Sequence, residues 1–248
     1  MGDGDRPNDR LMVRTLPRGA TAAVLLLHGG REQGLGKPTR LNAPAWRMRP
    51  FVRVIGEATG ERSVAIAEAR YRHRGWNGDR ADAARDAIEA VTELARLTDG
   101  APVVLVGHSM GGRAALRAAG DPAVTGVSGV VALAPWCPPG EPVAGLAGTR
   151  LVFVHARGDR ITSPDKSLRM AVEAREAGAE VCRYELPDGD HAMLRKASLW
   201  HRLTARTVAA LLGVAPLPAE VASAFALPPG STDGLALPAE SGVPLVRG

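Results

Sequence analysis

A chain of 248 residues that is 45% hydrophobic and 23% charged holds enough apolar material for one sizeable core, which excludes wholesale disorder. Its 31 basic and 26 acidic side chains leave a formal charge of only +5, and the basic residues are interleaved with acids rather than gathered on one stretch, which argues against a nucleic-acid binder. Cys137 and Cys182 are the only cysteines, too few for a disulfide framework or a cysteine-based zinc site. All the positive charge except Lys37, Lys166 and Lys196 is arginine, which reads as compositional bias. The start MGDGDRPNDR is polar and acidic where a secretory signal would need a basic start and an apolar run, and no stretch of about 18 apolar residues occurs. A soluble, cytoplasmic protein without membrane contact is expected.

In chain order, a flexible segment 1–10 precedes strand-like runs at 11–16, 22–27, 64–68, 103–107, 128–133, 151–155 and 180–186. Helical periods fall between them at about 44–59, 82–97, 110–119, 165–177 and 198–212. This alternation predicts an α/β protein: a mostly parallel, twisted sheet of about seven strands with helices on both faces, the first strand a possible antiparallel edge. Helix 82–97 is the clearest, with Ala84, Ala87, Ile88, Val91, Leu94 and Ala95 on one face. Helix 165–177 has Ser163 as N-cap, Pro164 in its first turn and Gly178 as its stop. Pro50 lies inside the 44–59 period, so that helix is expected to start or kink there. The domain spans 11–213. Beyond it, residues 214–248 form a Pro-, Ala- and Gly-rich tail without an independent fold, able to dock only through Val221, Phe225 and Leu227.

The segment that carries chemistry is Pro102-Val-Val-Leu-Val-Gly-His-Ser-Met-Gly-Gly-Arg-Ala-Ala-Leu116. An apolar strand enters Gly107-His108-Ser109-Met110-Gly111 and an Ala-rich helix leaves it, which is the strand–turn–helix setting that G-x-S-x-G requires. A turn this sharp strains the serine backbone and leaves no room for side chains at 107 or 111. Ser109 is thereby held above the sheet at a helix N-terminus, where N–H groups favour developing negative charge.

A serine is a poor nucleophile without a base, and the base needs a carboxylate to orient it. Asp159 follows strand 151–155 in Gly158-Asp159-Arg160-Ile161-Thr162, and His191 follows strand 180–186 in Gly189-Asp190-His191-Ala192-Met193. Parallel strands end on one edge of the sheet, so Ser109, Asp159 and His191 are able to converge there. Asp190 is the second choice for the carboxylate. His108 and His155 read as packing residues, His28 as a loop brace and Asp165 as a helix cap. Cys137, near the cleft, has no base assigned to it, and Cys182 reads as a small apolar residue.

For the oxyanion, the N–H of Met110 is one donor, and the loop His28-Gly29-Gly30-Arg31 after a buried strand supplies the other, from Gly30 or Arg31, with Gly30 preferred. The stretch Gln33-Gly34-Leu35-Gly36-Lys37-Pro38 fails as a phosphate loop, because Arg31 stands where the first glycine belongs and Pro38 where a magnesium-binding hydroxyl belongs. No G-x-G-x-x-G opens a helix, so a dinucleotide fingerprint is absent as well.

With HGG after one strand, GHSMGG after another, GDRIT and GDHAM, residues 11–212 resemble the α/β-hydrolase family. The resemblance implies that Ser109 attacks an acyl carbon, His191 moves the proton, Asp159 orients the imidazole, and Gly30 and Met110 hold the oxyanion. It also implies neither metal nor organic cofactor, and a small-molecule acyl substrate, an ester or thioester, as the partner. Peptidase, perhydrolase or lyase chemistry, or a non-catalytic ligand-binding member of the fold, are the alternatives. One departure stands out: between the nucleophile helix's following strand and the acid strand, only Trp136 to Thr149 is available, too short for a helical lid. An open cleft is expected, with Arg31, Tyr71, Trp76, Met110 and Trp136 as candidate walls. Among Arg70, Arg72 and Arg74, one arginine is a candidate for attracting an anionic part of the substrate, against pairing with Asp79 and Asp82. Oligomeric state is not readable from the sequence.

Overall fold

Along β4 (Val103–His108) every residue is buried, Val103 and Leu105 in one apolar layer and Val104 and Val106 in the other. Period-two alternation of side chains across a strand, with both faces apolar, forces the sheet into the middle of the molecule. The computed structural model describes residues 10–39, 42–60 and 63–239. Most of the segment expected to be flexible, 1–9, and the end of the tail, 240–248, lie outside the described residues.

The sheet has eight strands in the order β1-β3-β2-β4-β5-β6-β7-β8. They are β1 (Leu11–Thr15), β2 (Ala22–Leu27), β3 (Val64–Ala69), β4, β5 (Val127–Leu133), β6 (Arg150–Ala156), β7 (Glu180–Leu186) and β8 (Leu237–Pro238). Only β1 runs antiparallel, against β3; the other pairings are parallel. The helices are α1 (Ala43–Thr59), α2 (Asp82–Leu97), α3 (Met110–Ala119), α4 (Pro164–Glu176), α5 (Ala197–Leu211) and α6 (Ala219–Phe225). Apolar residues of α2, α3 and α4 close one face of the sheet, and those of α1, α5 and α6 the other.

Two expectations are sharpened. Helix α1 begins at Ala43 rather than at Pro50 and contains that proline, with Pro44 in its first turn. Packing of Met48, Phe51 and Ile55 against the sheet outweighs the one backbone hydrogen bond that Pro50 cannot make. The strand count of about seven becomes eight because the segment after residue 213 enters the fold. Val221 and Phe225 are buried on the α1–α5 face, Leu227 only partly, and β8 pairs with the outer edge of β7. Two buried guanidinium groups hold this segment: Arg175 donates to the carbonyls of Ala224, Ser231 and Asp233, and Arg183 to that of Leu235. The segment thereby adds carbonyl acceptors to two buried cations whose other partners are the Val181 carbonyl for Arg175 and Pro164, Ser167 and Glu185 for Arg183. No helix among the described residues is long and apolar enough to cross a membrane.

Candidate active site

Ser109 sits between the last residue of β4 and the first of α3 with φ 56° and ψ −119°, a conformation that L-residues rarely hold. The flanking glycines explain why it persists. A Cβ on Gly107 would lie 2.2 Å from the Gly111 carbonyl oxygen, and one on Gly111 would lie 2.2 Å from the Leu27 carbonyl oxygen. Backbone therefore fills both sides of the turn. Four backbone hydrogen bonds pin the serine itself: its N–H donates to Leu133, and its carbonyl accepts from Gly112, Arg113 and Trp136. Although Ser109 stands at the N-cap position, its hydroxyl caps nothing, which leaves it to another partner.

That partner is His191. Its Nε2 lies 3.1 Å from Ser109 Oγ, and its Nδ1 lies 2.8 Å from Asp159 Oδ2. The acid loop after β6 and the base loop after β7 thus bring the three expected residues together over β4. Ser109 is 8% exposed, enough for contact with a small molecule at the surface. Asp159 Oδ1 accepts the N–H groups of Ile161 and Thr162, fixing the carboxylate before His191 is considered. Burial pushes the Asp159 carboxyl up, but hydrogen bonds from His155, His191 and the Ile161 N–H outweigh it and hold the group well below the usual carboxylate range. Asp190 serves differently: its Oδ1 accepts from the Leu194 and Arg195 N–H groups and so shapes the base loop.

Four residues near the site carry contacts that the sequence did not disclose. His155, fully buried, points Nε2 at Asp159 Oδ2 from 3.3 Å, so the carboxylate faces two imidazoles. The Thr162 hydroxyl lies 3.0 Å from the same oxygen and 3.2 Å from His191 Nδ1. His108 Nε2 donates to the His191 carbonyl at 2.8 Å, and the Arg47 guanidinium donates to the carbonyls of Ala192 and Met193. These last two tie the base loop to β4 and α1. Histidines at strand ends were legible as buried; that they face the carboxylate and the base loop depends on how separate strands stack.

On the other side of Ser109, the Arg31 N–H donates to the Arg74 carbonyl at 2.9 Å, and the Arg31 carbonyl accepts from Trp76. That N–H is already taken, and of the two donors expected from this loop Gly30 remains, its Cα facing the Met110 side chain so closely that a Cβ would lie 2.3 Å from its methyl carbon. The Met110 N–H opens α3, where no helical acceptor is available to it. His28 braces this loop, its Nδ1 donating to the Gly29 carbonyl at 2.7 Å.

The candidate walls separate into two groups. Arg31 is exposed and Trp136 half-buried at the rim. Trp76 is 2% exposed, with the Arg113 guanidinium 3.7 Å over its ring and Trp136 edge-on at 6.1 Å, so it offers a substrate almost no surface. Tyr71 is also buried, packed edge-on against His28 with centroids 4.5 Å apart. Both aromatics belong to the apolar layer on the α2–α3 face of the sheet. Arg72 is committed to Asp86 at 2.5 Å and Glu89 at 2.6 Å, not to Asp79 or Asp82, and the Arg74 side chain lies along Gly34 and Gly36. The segment between β5 and β6 contains only the short turn Ala144–Leu146 and is anchored by Glu141 to Arg113 and Arg117, so no helical lid rises from it. Ile161 and Leu194, 75% and 66% exposed, stand on the acid and base loops. Cys137 is buried, which raises its thiol far above the ordinary value.

The model of the alpha/beta hydrolase family matches residues 24–241. Among solved structures, a protein of unknown function from Agrobacterium tumefaciens aligns with 14% identity and a TM-score of 0.63, over 84% of this chain and 93% of that one. A thermophilic esterase from Thermogutta terrifontis, bound to butyrate, aligns with 17% identity and a TM-score of 0.59, over 84% and 91%. A carboxylesterase from Bacillus cereus aligns with 17% identity and a TM-score of 0.55, over 78% and 93%. No curated protein sequence matches. At such identities the solved structures establish the fold, and the family model, which spans most of the sequence, establishes the lineage: this chain belongs to the alpha/beta hydrolase family.

Proposed function

We propose that the protein is a serine hydrolase that cleaves a small carboxylic ester or thioester through an acyl-enzyme intermediate. The observation that carries this is the unbroken relay from Ser109 Oγ through His191 Nε2 and Nδ1 to Asp159 Oδ2, at 3.1 and 2.8 Å, on a strained turn that has no other use for the hydroxyl. Ser109 Oγ adds to the substrate carbonyl carbon as His191 Nε2 takes its proton. The carbonyl oxygen becomes an oxyanion facing the N–H groups of Gly30 and Met110. As the tetrahedral species collapses, the bond to the leaving oxygen or sulfur breaks and His191 returns the proton to that atom. A water then gives its proton to His191 and adds to the acyl carbon, and the second collapse releases the acid and restores the serine. Asp159 keeps the imidazole proton on Nδ1, so that Nε2 is the atom free to act as base. Esterases among the solved structures of similar fold support ester chemistry over the other reactions the fold can host.

The test is hydrolysis of short-chain p-nitrophenyl esters by the wild type and by Ser109→Ala. The wild type is expected to turn them over, and the variant to keep its fold by circular dichroism while losing activity by about 10⁴ or more. Equal activity in both proteins would remove Ser109 from the chemistry.

A further inference from the structure

A cavity of about 610 Å³ lies among the described residues, and Ser109 is not part of its lining. It opens beside the site, on the rim formed by the start of β1, the end of β3, the loop after β2 and the first turns of α1. Six cationic side chains line it, Arg10, Arg14, Lys37, Arg49, Arg70 and Arg72, against one carboxylate, Glu68. Glu68 is spent on Arg14, which reaches both its oxygens at 3.0 and 2.9 Å, and Arg72 is held by Asp86 and Glu89. Among the described residues no carboxylate pairs with Lys37, Arg49 or Arg70. A concave site that leaves this many cations without counter-charge concentrates positive potential and selects for anions. Trp46, half exposed, Met12 and Pro38 supply apolar wall between the charges.

One residue links the cavity's wall to the serine turn. His28 forms part of its lining, and the next residue, Gly29, lies so close to the turn that a Cβ there would be 3.4 Å from the Cβ of Ser109. Sheet order gives this adjacency a direction. The loops bearing Asp159 and His191 follow β6 and β7, on one side of β4, whereas the cavity is built on β2, β3 and β1, on the other. Since His191 must hand its proton to the leaving atom, the alcohol or thiol half of a substrate belongs on the β6–β7 side. The acyl half then extends over Gly29 and Gly30 towards the cavity.

Resting on the serine-hydrolase mechanism above, we propose that this cavity is the acyl-binding pocket and that the acyl group it takes ends in an anion, a carboxylate or a phosphate, with Lys37, Arg49 and Arg70 as its counter-charges. The substrate class is thus an ester or thioester of an acid that keeps a second, ionised group at the far end of a short chain.

The experiment compares p-nitrophenyl hydrogen adipate with p-nitrophenyl hexanoate, which share leaving group and chain length and differ in the terminal carboxylate. The wild type is expected to favour the adipate by about tenfold or more in kcat/KM at low ionic strength, with the preference shrinking as salt is added. Arg70→Gln and Lys37→Gln are each expected to cut the adipate-to-hexanoate ratio about fivefold, while Arg85→Gln, an exposed arginine on α2 outside the cavity, leaves the ratio as it is. Equal or better turnover of hexanoate, ratios unmoved by both cavity variants, or a preference that follows charge on the alcohol instead of the acid would each overturn the proposal. If neither ester is hydrolysed, the catalytic mechanism has failed and the cavity is judged separately by calorimetry with adipate itself. Binding to wild type that Arg70→Gln weakens supports an anion pocket, and no binding overturns it.

Discussion

The two flanks of Ser109 are built on opposite plans. On the β6–β7 flank, charge and hydrogen-bonding capacity are cross-linked: Asp159 meets two imidazoles, a hydroxyl and two backbone N–H groups, and the loop of His191 is tied down by His108, Arg47 and Asp190. On the β3–β1 flank, cations stand around a wide cavity with few carboxylates to meet them. Proton transfer needs atoms fixed within a few tenths of an ångström before the substrate arrives, whereas selection of a charged substrate needs potential that the protein has not already neutralised. The difference implies that damage on the first flank falls on the chemical step and damage on the second on substrate choice.

The strongest way to break the contrast is Asp159→Asn. An amide at 159 retains an oxygen for the Ile161 and Thr162 N–H groups but turns an NH₂ towards His191 Nδ1, which forces the imidazole proton to Nε2 where it blocks the serine. A fall in kcat of about 10⁴ with KM little changed is expected from steady-state kinetics, and unchanged kcat would mean that Asp159 does not set the tautomer.

A second prediction concerns the cost of the fixed flank. His108 is buried against His191 and near Arg47; burial above all, then these neighbours, lowers its pKa to about 3, so it stays neutral when folded. In the unfolded chain it takes up a proton near pH 6.5. Between those values the unfolded state binds the extra proton, so folding stability drops as pH falls below about 6.5, by up to ~1.4 kcal/mol per pH unit for this group. Urea denaturation at pH 7 and pH 5 checks the slope, which His108→Gln is expected to flatten; equal slopes in wild type and variant would assign the acid sensitivity elsewhere. The Arg70→Gln and Lys37→Gln specificity ratios are the smallest expected effects, and they probe only the open flank.

How legible each flank was in the sequence follows from how it is assembled. The turn around Ser109 is a local object, with strand, glycines and helix in one continuous segment, and Asp159 and His191 each follow an apolar run already readable as a strand. The β1 edge and the chain order of the elements were readable for the same reason. The cavity has no such signature, because Arg10, Lys37, Arg49 and Arg70 come from four separate elements and meet only through the sheet order. The C-terminal segment was obscure for a related reason: Val221, Phe225 and Leu235 are too sparse among proline and alanine to show a period, and its carbonyls are claimed by Arg175 and Arg183 from α4 and β7. Trp76 misled because an aromatic residue at a strand end looks the same in one dimension whether it faces a cleft or an arginine.

The most direct test of the central claim is covalent labelling with a fluorophosphonate, located by peptide mass spectrometry in the wild type and in His191→Ala. An activated serine predicts a single adduct on Ser109 that forms rapidly in the wild type and slows by orders of magnitude when the imidazole is removed. An adduct on another residue, or labelling of Ser109 at the same rate in both proteins, would contradict it.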